Sequence, residues 1–173
     1  PKPGNMKSFL EYLTEKTKPS GNYVSINVDG SVVVPGLIKP TTGIEVPSGE
    51  QHVTLMYSAD SNIDHAKLLQ IIESEFPVAI AVQANEFKTF DDGSIVLSIK
   101  SQMLDAIHQR LITLGCTHSY PEYNAHVTLF YKVDELESKV LCKLLNRIVK
   151  FPIDIRLAGY KSEPINPGYV EKL

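Results

Sequence analysis

The sequence predicts an α+β protein of two similar lobes, each an antiparallel sheet with helices on its outer face, flanking a central groove. Two observations favour this fold class. The tetrapeptide His-Val-Thr-Leu occurs at 52–55 and again at 126–129, and each copy is followed by an amphipathic helical pattern and then by more strand. Such alternation is typical of α+β folds, and a repeat spaced by 74 residues indicates a duplication.

Hydrophobic periodicity predicts each element in chain order. Residues 23–28 alternate in polarity and end in an Asp-Gly turn, whereas the Pro- and Gly-rich stretch 31–50 indicates a strand stub and a mobile loop, which we expect to act as a lid. Gly115 ends the helical pattern that precedes it. We predict strands at 23–28, 52–57, 78–90, 94–100, 126–131 and 151–160, helices at 7–18, 62–76, 101–114 and 134–149, and an irregular tail over 161–173.

Each predicted helix has apolar residues at helical spacing, which we expect to face the core. These residues are Phe9, Leu10 and Leu13 in the first helix, Leu68, Leu69, Ile72 and Phe76 in the second, Leu104, Ile107, Leu111 and Leu114 in the third, and Leu136, Val140, Leu144, Leu145 and Ile148 in the fourth.

Composition bounds the function classes. The chain has 173 residues, of which 43% are hydrophobic and 21% charged, and its formal net charge is −3. Proteins that bind long nucleic acid usually carry a basic excess, so we expect no long nucleic-acid partner. No apolar run approaches a membrane span, so we expect no membrane partner. Cys116 and Cys142 lack zinc-site spacing, so we expect reduced thiols in a cytoplasmic protein.

We expect a single bilobal domain over residues 6–173, with duplicated half-lobes around 52–55 and 126–129. The first five residues, which precede Met6, look like a tag remnant or a disordered leader.

The two repeated strands divide into a packing face and a chemical face. Side chains alternate along a strand, so Val and Leu of each copy would face the core and His and Thr the groove. One such strand would be an ordinary polar face. Packing gives no reason, however, for His and Thr to recur at the same spacing. The residues predicted to face the groove are His52, Thr54 and Met56 in the first strand and His126, Thr128 and Phe130 in the second.

Two imidazoles and two hydroxyls in one groove suit phosphodiester chemistry. One His can accept a proton from the attacking oxygen while the other protonates the leaving oxygen, because the pKa of imidazole lies near neutrality. Thr hydroxyls can donate hydrogen bonds to phosphate oxygens. No Asp or Glu shares the predicted face, so we expect neither a metal site nor a cofactor. The other three histidines, His65, His108 and His118, have no paired context and are interpreted as structural.

With these motifs the chain resembles the 2H phosphoesterase superfamily, whose signature is two His-x-Thr/Ser-x motifs on related strands of a bilobal (LigT-like) fold. It is most similar to the phage anti-CBASS phosphodiesterases, in its compact size, its segment 6–26 and its lack of a basic surface. The resemblance implies metal-independent cleavage of cyclic di- and trinucleotide signals, so a phage inhibitor of bacterial immunity. It implies catalytic roles for His52, Thr54, His126 and Thr128.

Side chains around these motifs are candidates for substrate binding. Aromatic rings could stack on bases. Tyr23 and Ser25 share the polar face of their strand, and Tyr12 could close as a lid or pack as part of an amphipathic helix. Glu122 would precede His126 on its face if that strand extends backward, or would lie in a solvated loop. Met56 and Phe130 continue the groove faces, with ordinary core as the alternative. The substrate-binding set is Tyr12, Tyr23, Ser25, Met56, Glu122 and Phe130.

Three other functions remain open at this point. The first is a 2H enzyme acting on RNA 2′,3′-cyclic phosphates or 2′,5′-linked oligonucleotides. The second is a non-catalytic nucleotide- or RNA-binding module that uses the same groove. The third is a structural protein in which the repeated tetrapeptide is only a strand pattern.

Overall fold

A computed structural model describes residues 20–30, 32, 38–45 and 51–165. Within these residues, seven strands and three helices confirm the α+β class. The strands are β1 (Ser20–Val28), β2 (Ile44–Glu45), β3 (His52–Ser58), β4 (Ala79–Thr89), β5 (Ile95–Ile99), β6 (His126–Tyr131) and β7 (Ile153–Ile165). The helices are α1 (His65–Glu75), α2 (Gln102–Thr113) and α3 (Glu135–Ile148). The helix predicted at 7–18 lies outside the described residues.

The strands form an antiparallel sheet in the order β2-β6-β3-β1-β7-β4-β5. Because β5 also pairs with β6, the sheet returns on itself. The two groups of strands expected as separate sheets are therefore hydrogen-bonded to each other, and the strands that carry the repeated tetrapeptide, β3 and β6, meet at the junction through the pair Val53–Val127. The duplication thus places its two motifs side by side.

The helices cover the sheet from different positions: α1 contacts β7, α2 contacts β3 and α3 contacts β4. Each begins at a side chain that accepts a backbone N–H of the first turn, namely Asp64, Ser101 and Asp134. Such caps satisfy donors that the helix itself leaves unpaired. Along the described segments, each helix is too short or too polar to cross a lipid bilayer.

Two parts of the predicted pattern are wrong. Four of the five residues expected to face the core from α3 are exposed: Leu136 by 74%, Val140 by 58%, Ile148 by 50% and Leu144 by 38%. The helix docks through another face, where the Asn146 side chain accepts from the N–H of Phe87 and donates to its C=O. The residues buried on α3 are Ser138, Leu141 and Leu145.

The tail predicted as irregular begins too early. Strand β7 continues to Ile165, because pairing with β1 supplies a ladder that the local sequence, with Pro164, does not signal.

Candidate active site

The repeated motifs lie on adjacent antiparallel strands with their polar side chains on one face. Val53 pairs with Val127, so His52 and Thr54 flank this pair on β3, and His126 and Thr128 flank it on β6. All four polar residues are half-buried. Both Val side chains are fully buried on the other face. The structure thus places the four predicted catalytic residues on one face, on either side of the point where β3 and β6 meet.

Each copy of the motif contains a β-bulge at its Leu. Opposite β1, the register skips Leu55 between Thr54 and Met56, and opposite β5 it skips the equivalent Leu129. A bulge inserts one unpaired residue, so the alternation of faces shifts by one beyond it. Two buried residues therefore follow each Thr before the strand turns a side chain outward again.

The bulges correct two predicted substrate contacts. Met56 is 0% exposed and Phe130 is 3% exposed, and both belong to the hydrophobic core. Their assignment to the groove is wrong, because the bulges turn them to the side of Val and Leu. The same shift turns Tyr57 and Tyr131, which strict alternation assigns to the core, to the face of the histidines. Sequence reasoning missed both, although Tyr recurs at this position in both copies.

Tyr23 lies at the centre of the first half of the site. Its phenolic oxygen is 2.5 Å from Nε2 of His52 and 3.0 Å from Oγ1 of Thr54. The rings of Tyr23 and His52 meet edge to face, with centroids 6.0 Å apart. Tyr23 therefore contacts both polar residues of the first motif through its hydroxyl, and its role in substrate binding stays a prediction. The neighbouring Ser25 pairs with Thr54 yet is only 2% exposed, so its prediction as a direct ligand contact is wrong.

His126 has a different environment. Its Nδ1 donates to the backbone carbonyl of Asn124 at 2.6 Å, which leaves Nε2 as the nitrogen available for proton transfer. The ring of Phe90 packs edge-on against it at 4.7 Å. Burial lowers the pKa of His126, and nearby His52 lowers it further, against opposing contributions from the Asn124 carbonyl and Asp92.

The backbone at the first bulge is held by two side chains from elsewhere in the chain. Beyond Val53, β3 separates from β6. Nδ1 of His108, on α2, donates to the carbonyl of Leu55 at 2.7 Å, and the hydroxyl of Tyr123 donates to the carbonyl of Thr54 at 3.1 Å. The two rings are stacked, with centroids 4.0 Å apart and planes 5° apart. His108 is structural, as predicted, and it supports the motif directly; Tyr123 was missed.

The corresponding edge of β6 is covered by backbone. Strand β2, in the described part of the predicted lid loop, pairs Ile44 with Tyr131. The preceding Thr41 and Thr42 donate hydrogen bonds to the carboxylate of Glu137 on α3, which lowers the pKa of that group. Residues 38–45 are thus tied to the second half of the molecule. The rest of the loop lies outside the described residues.

The two remaining predicted contacts are Tyr12 and Glu122. Tyr12 lies outside the described residues. Strand β6 begins at His126 and does not extend backward, so Glu122 lies exposed in the preceding loop, the alternative that the sequence left open, and its assignment to substrate binding is wrong. There it lines a shallow depression of about 500 Å³ with Asp105, Gln109 and other residues, and within the described chain that lining includes none of the four motif side chains. Across the described segments, no three His, Cys, Asp or Glu residues are grouped as metal ligands.

Comparison with known proteins identifies relatives. The family model "Anti-CBASS protein Acb1" matches residues 21–168. Acb1 of Vibrio phage KVP40 is 32% identical over 123 residues, which cover 69% of this chain and 78% of that protein. Acb1 of Enterobacteria phage T4 is 32% identical over 91 residues, which cover 53% of this chain and 57% of that protein.

A solved structure shares the fold. The crystal structure of a phosphoesterase superposes with a TM-score of 0.52 at 12% identity and covers 83% of this chain and 87% of its own. The family model and the two relatives confirm the resemblance to the phage anti-CBASS proteins, and the solved structure confirms the fold. Since the family model spans both motifs and all seven strands in part or whole, the chain belongs to the family of the anti-CBASS protein Acb1.

Proposed function

We propose that this protein is a metal-independent phosphodiesterase that cleaves 3′,5′-linked cyclic oligonucleotide signals and so protects a phage from bacterial CBASS immunity. Family membership supports the biological role. The pairing of Val53 with Val127 carries the chemistry, because it sets both histidines and both threonines on one face. The cytoplasm of the host, where such signals would be met, is the proposed site of action.

His126 acts as the general base. Its Nδ1–H is committed to the Asn124 carbonyl, so Nε2 carries the lone pair, and its lowered pKa keeps the ring neutral at pH 7. Nε2 removes the proton of a ribose 2′-hydroxyl, whose oxygen attacks the adjacent phosphorus. The new bond is 2′-O–P, and the bond that breaks is P–O5′.

His52 acts as the general acid and gives its Nε2 proton to the departing 5′-oxygen. The contact with Tyr23 orients this nitrogen. The hydroxyls of Thr54 and Thr128 donate to the non-bridging phosphate oxygens, where negative charge increases in the transition state. The products are a 2′,3′-cyclic phosphate and a 5′-hydroxyl. Hydrolysis of the cyclic phosphate then reverses the two histidine roles, with water as the nucleophile.

The test is turnover of 3′,3′-cGAMP in the presence of EDTA, followed by chromatography. His52→Ala and His126→Ala should each lower kcat by roughly 10²- to 10⁴-fold, the usual contribution of a general acid or base, while binding persists. His65→Ala is the matched control, because His65 lies at the start of α1 and bonds Ser162. Full activity in either motif variant, or strict dependence on added metal, would reject the mechanism.

Substrate class is tested by a panel under the same conditions. It contains other cyclic oligonucleotides, 2′,5′-oligoadenylate, a 2′,3′-cyclic nucleotide and RNA. Preference for cyclic oligonucleotides is the expected result, since the net charge of −3 disfavours long RNA. Preference for RNA ends or 2′,5′ linkages would assign a different 2H activity, and binding of nucleotide without any turnover would assign a binding module.

A further inference from the structure

A row of aromatic rings extends from the first motif toward solvent. Tyr23, which contacts His52 through its hydroxyl, meets the ring of Tyr57 edge to face at a centroid distance of 6.1 Å. Tyr57 in turn contacts the ring of Tyr120 at 5.6 Å. Tyr57 and Tyr120 together are named the tyrosine ledge.

The ledge exists because of the first bulge. Without the extra residue at Leu55, strand alternation would turn Tyr57 to the core. The bulge instead sets its ring on the face of His52 and Thr54, one residue beyond the fully buried Met56. The ring of Tyr57 contacts the ring of Tyr23, and Tyr23 contacts His52 and Thr54, which would hold the reacting phosphate.

Hydrogen bonds fix Tyr120 relative to β3. The backbone N–H of Ser119 donates to the carbonyl of Tyr57 at 2.9 Å, and the N–H of Ala59 donates to Oγ of Ser119 at 3.0 Å. The N–H of Thr117 donates to Oγ of Ser58, also at 2.9 Å. The loop is thus tied to the strand at three points. Tyr120 is nevertheless 49% exposed, so the loop presents part of its ring to solvent.

We propose that the tyrosine ledge is a base-stacking subsite, which takes a nucleobase of the nucleotide whose phosphate lies at the histidines. This inference rests on the proposed function and names residues that determine how its substrate binds. Base-on-tyrosine stacking needs a flat ring near the phosphate site and accepts any base, since every base has a π-face. The ledge meets this requirement with rings already held in place, so little ordering is needed on binding.

Tyr120 provides the test, because its exposure allows truncation with little effect on the core. Tyr120→Ala should raise KM for 3′,3′-cGAMP by about tenfold, a typical loss for one base stack, with kcat little changed. Tyr120→Phe restores the ring and should recover the tenfold loss in KM caused by Tyr120→Ala. Ile112→Ala, an apolar truncation on α2 at a residue with 40% exposure, is the matched control.

A substrate that lacks bases separates stacking from a general structural effect. In a cyclic diribose diphosphate that carries hydrogen in place of each base, the 2′-hydroxyls remain but nothing can stack. Tyr120→Ala should leave kcat/KM for this ring unchanged, so the two substrates and two proteins form a double-mutant cycle. Equal losses of kcat/KM for both cyclic substrates, or no loss for 3′,3′-cGAMP, would overturn the proposal that the ledge binds a base.

Calorimetric titration distinguishes failure of the ledge from failure of the proposed function. In the His126→Ala background, Tyr120→Ala should weaken binding of 3′,3′-cGAMP by the same tenfold. If the parent binds the ring without cleaving it, the catalytic proposal fails while this comparison still decides the ledge. If the parent neither binds nor cleaves any ring, both proposals are overturned.

Discussion

The two copies of His-Val-Thr-Leu have the same local structure and different surroundings. In each, Val and Leu are buried, His and Thr share the opposite face, and a bulge at Leu turns the following Tyr outward. The duplication therefore determines where the motif side chains lie. The two similar strands pair through Val53 and Val127, and their polar side chains lie on the same face. Symmetry alone would make the two histidines chemically equivalent.

The surroundings remove that equivalence. His52 is contacted at Nε2 by the hydroxyl of Tyr23. His126 is held from behind through Nδ1 by a backbone carbonyl and is packed against Phe90, and burial lowers its pKa. The two rings therefore have different hydrogen-bond partners, and base and acid roles are assigned to them on that basis. The motif thus supplies two imidazoles, and residues outside the motif decide what each one does.

The largest expected effect tests that assignment directly. Replacing the leaving 5′-oxygen by sulfur removes the need for an acid, because a thiolate departs without prior protonation. With this 5′-phosphorothiolate, His52→Ala should recover most of a loss of roughly 10²- to 10⁴-fold in kcat, and His126→Ala should recover none. Chromatography of the cleavage products measures both rates. Rescue of His126→Ala in place of His52→Ala would exchange the two roles.

A smaller effect on kcat is expected from removing the hydrogen bond between the Tyr23 hydroxyl and His52. Tyr23→Phe keeps the ring and removes the hydroxyl that bonds His52 and Thr54. We expect kcat to fall by about tenfold, equivalent to about 1.4 kcal/mol, with KM little changed. Tyr160→Phe is the matched control, since its hydroxyl donates to the Pro77 carbonyl, away from the motifs. A kcat for Tyr23→Phe equal to that of the control would remove Tyr23 from the mechanism.

The acid side of the pH profile reports on His126. Because burial lowers the pKa of His126, the midpoint of the acid limb of kcat/KM should lie below 6.5, the ordinary pKa of imidazole. Phe90→Ala hydrates the ring and should move this limb to higher pH. The free energy of unfolding should depend on pH in the same direction as kcat/KM. Folded His126 binds fewer protons than unfolded His126, so the free energy of unfolding falls as pH decreases below 6.5. A limb unmoved by Phe90→Ala would contradict burial by Phe90 as the cause.

The sequence predicts which motif side chains share a face, but it predicts neither the pairing of β3 with β6 nor the bulges, for a physical reason. Alternation within a strand assigns His52 and His126 to one face correctly, since that face is a local property. A bulge depends on the partner strand: Leu55 is extra only relative to Ser25 and Val24. Met56 was therefore misassigned and Tyr57 missed. The sequence shows that a Tyr follows each motif, but only the strand register shows that these two rings share the face of the histidines.

The two side chains that bond the backbone at the first bulge also cannot be identified from local sequence patterns. His108 belongs to an amphipathic helix and Tyr123 to a loop, and neither shows from its neighbours that it binds the backbone of a strand more than fifty residues away. Their donors are needed because β3 separates from β6 and its carbonyls lose strand partners, which would otherwise be costly when buried.

These supports predict a modest effect in the first half of the site. Tyr123→Phe removes the donor to the Thr54 carbonyl and should lower the free energy of unfolding by about 1 kcal/mol. Tyr160→Phe loses a similar tyrosine–carbonyl bond and should cost about the same. Denaturant titration measures both. Only Tyr123→Phe should also lower kcat, by a few-fold, and an equal kcat in the two variants would make Tyr123 purely structural.

The smallest effect is expected in the second half, where Thr42→Val removes a hydroxyl that donates to Glu137 and accepts from the N–H of Asp134. These groups are exposed, so water replaces the lost bonds and stability should change less than in Tyr123→Phe. Thr42 is the largest cause of the lowered pKa of Glu137, and that pKa should rise toward 4.5, as NMR titration would show.

Linkage gives this last change a pH dependence. A carboxyl whose pKa is lower in the folded state stabilises the fold above its unfolded pKa of 4.5 and loses that contribution as pH falls through the folded value. Thr42→Val and the parent should therefore differ in stability at pH 7 and converge in acid. Turnover should be unchanged, because β2 braces β6 through backbone pairing at Tyr131 and not through this side chain. If Thr42→Val lowered turnover as much as Tyr123→Phe does, the support of β6 would matter to catalysis as much as the support of β3. The two halves of the site would then differ only in the surroundings of His52 and His126.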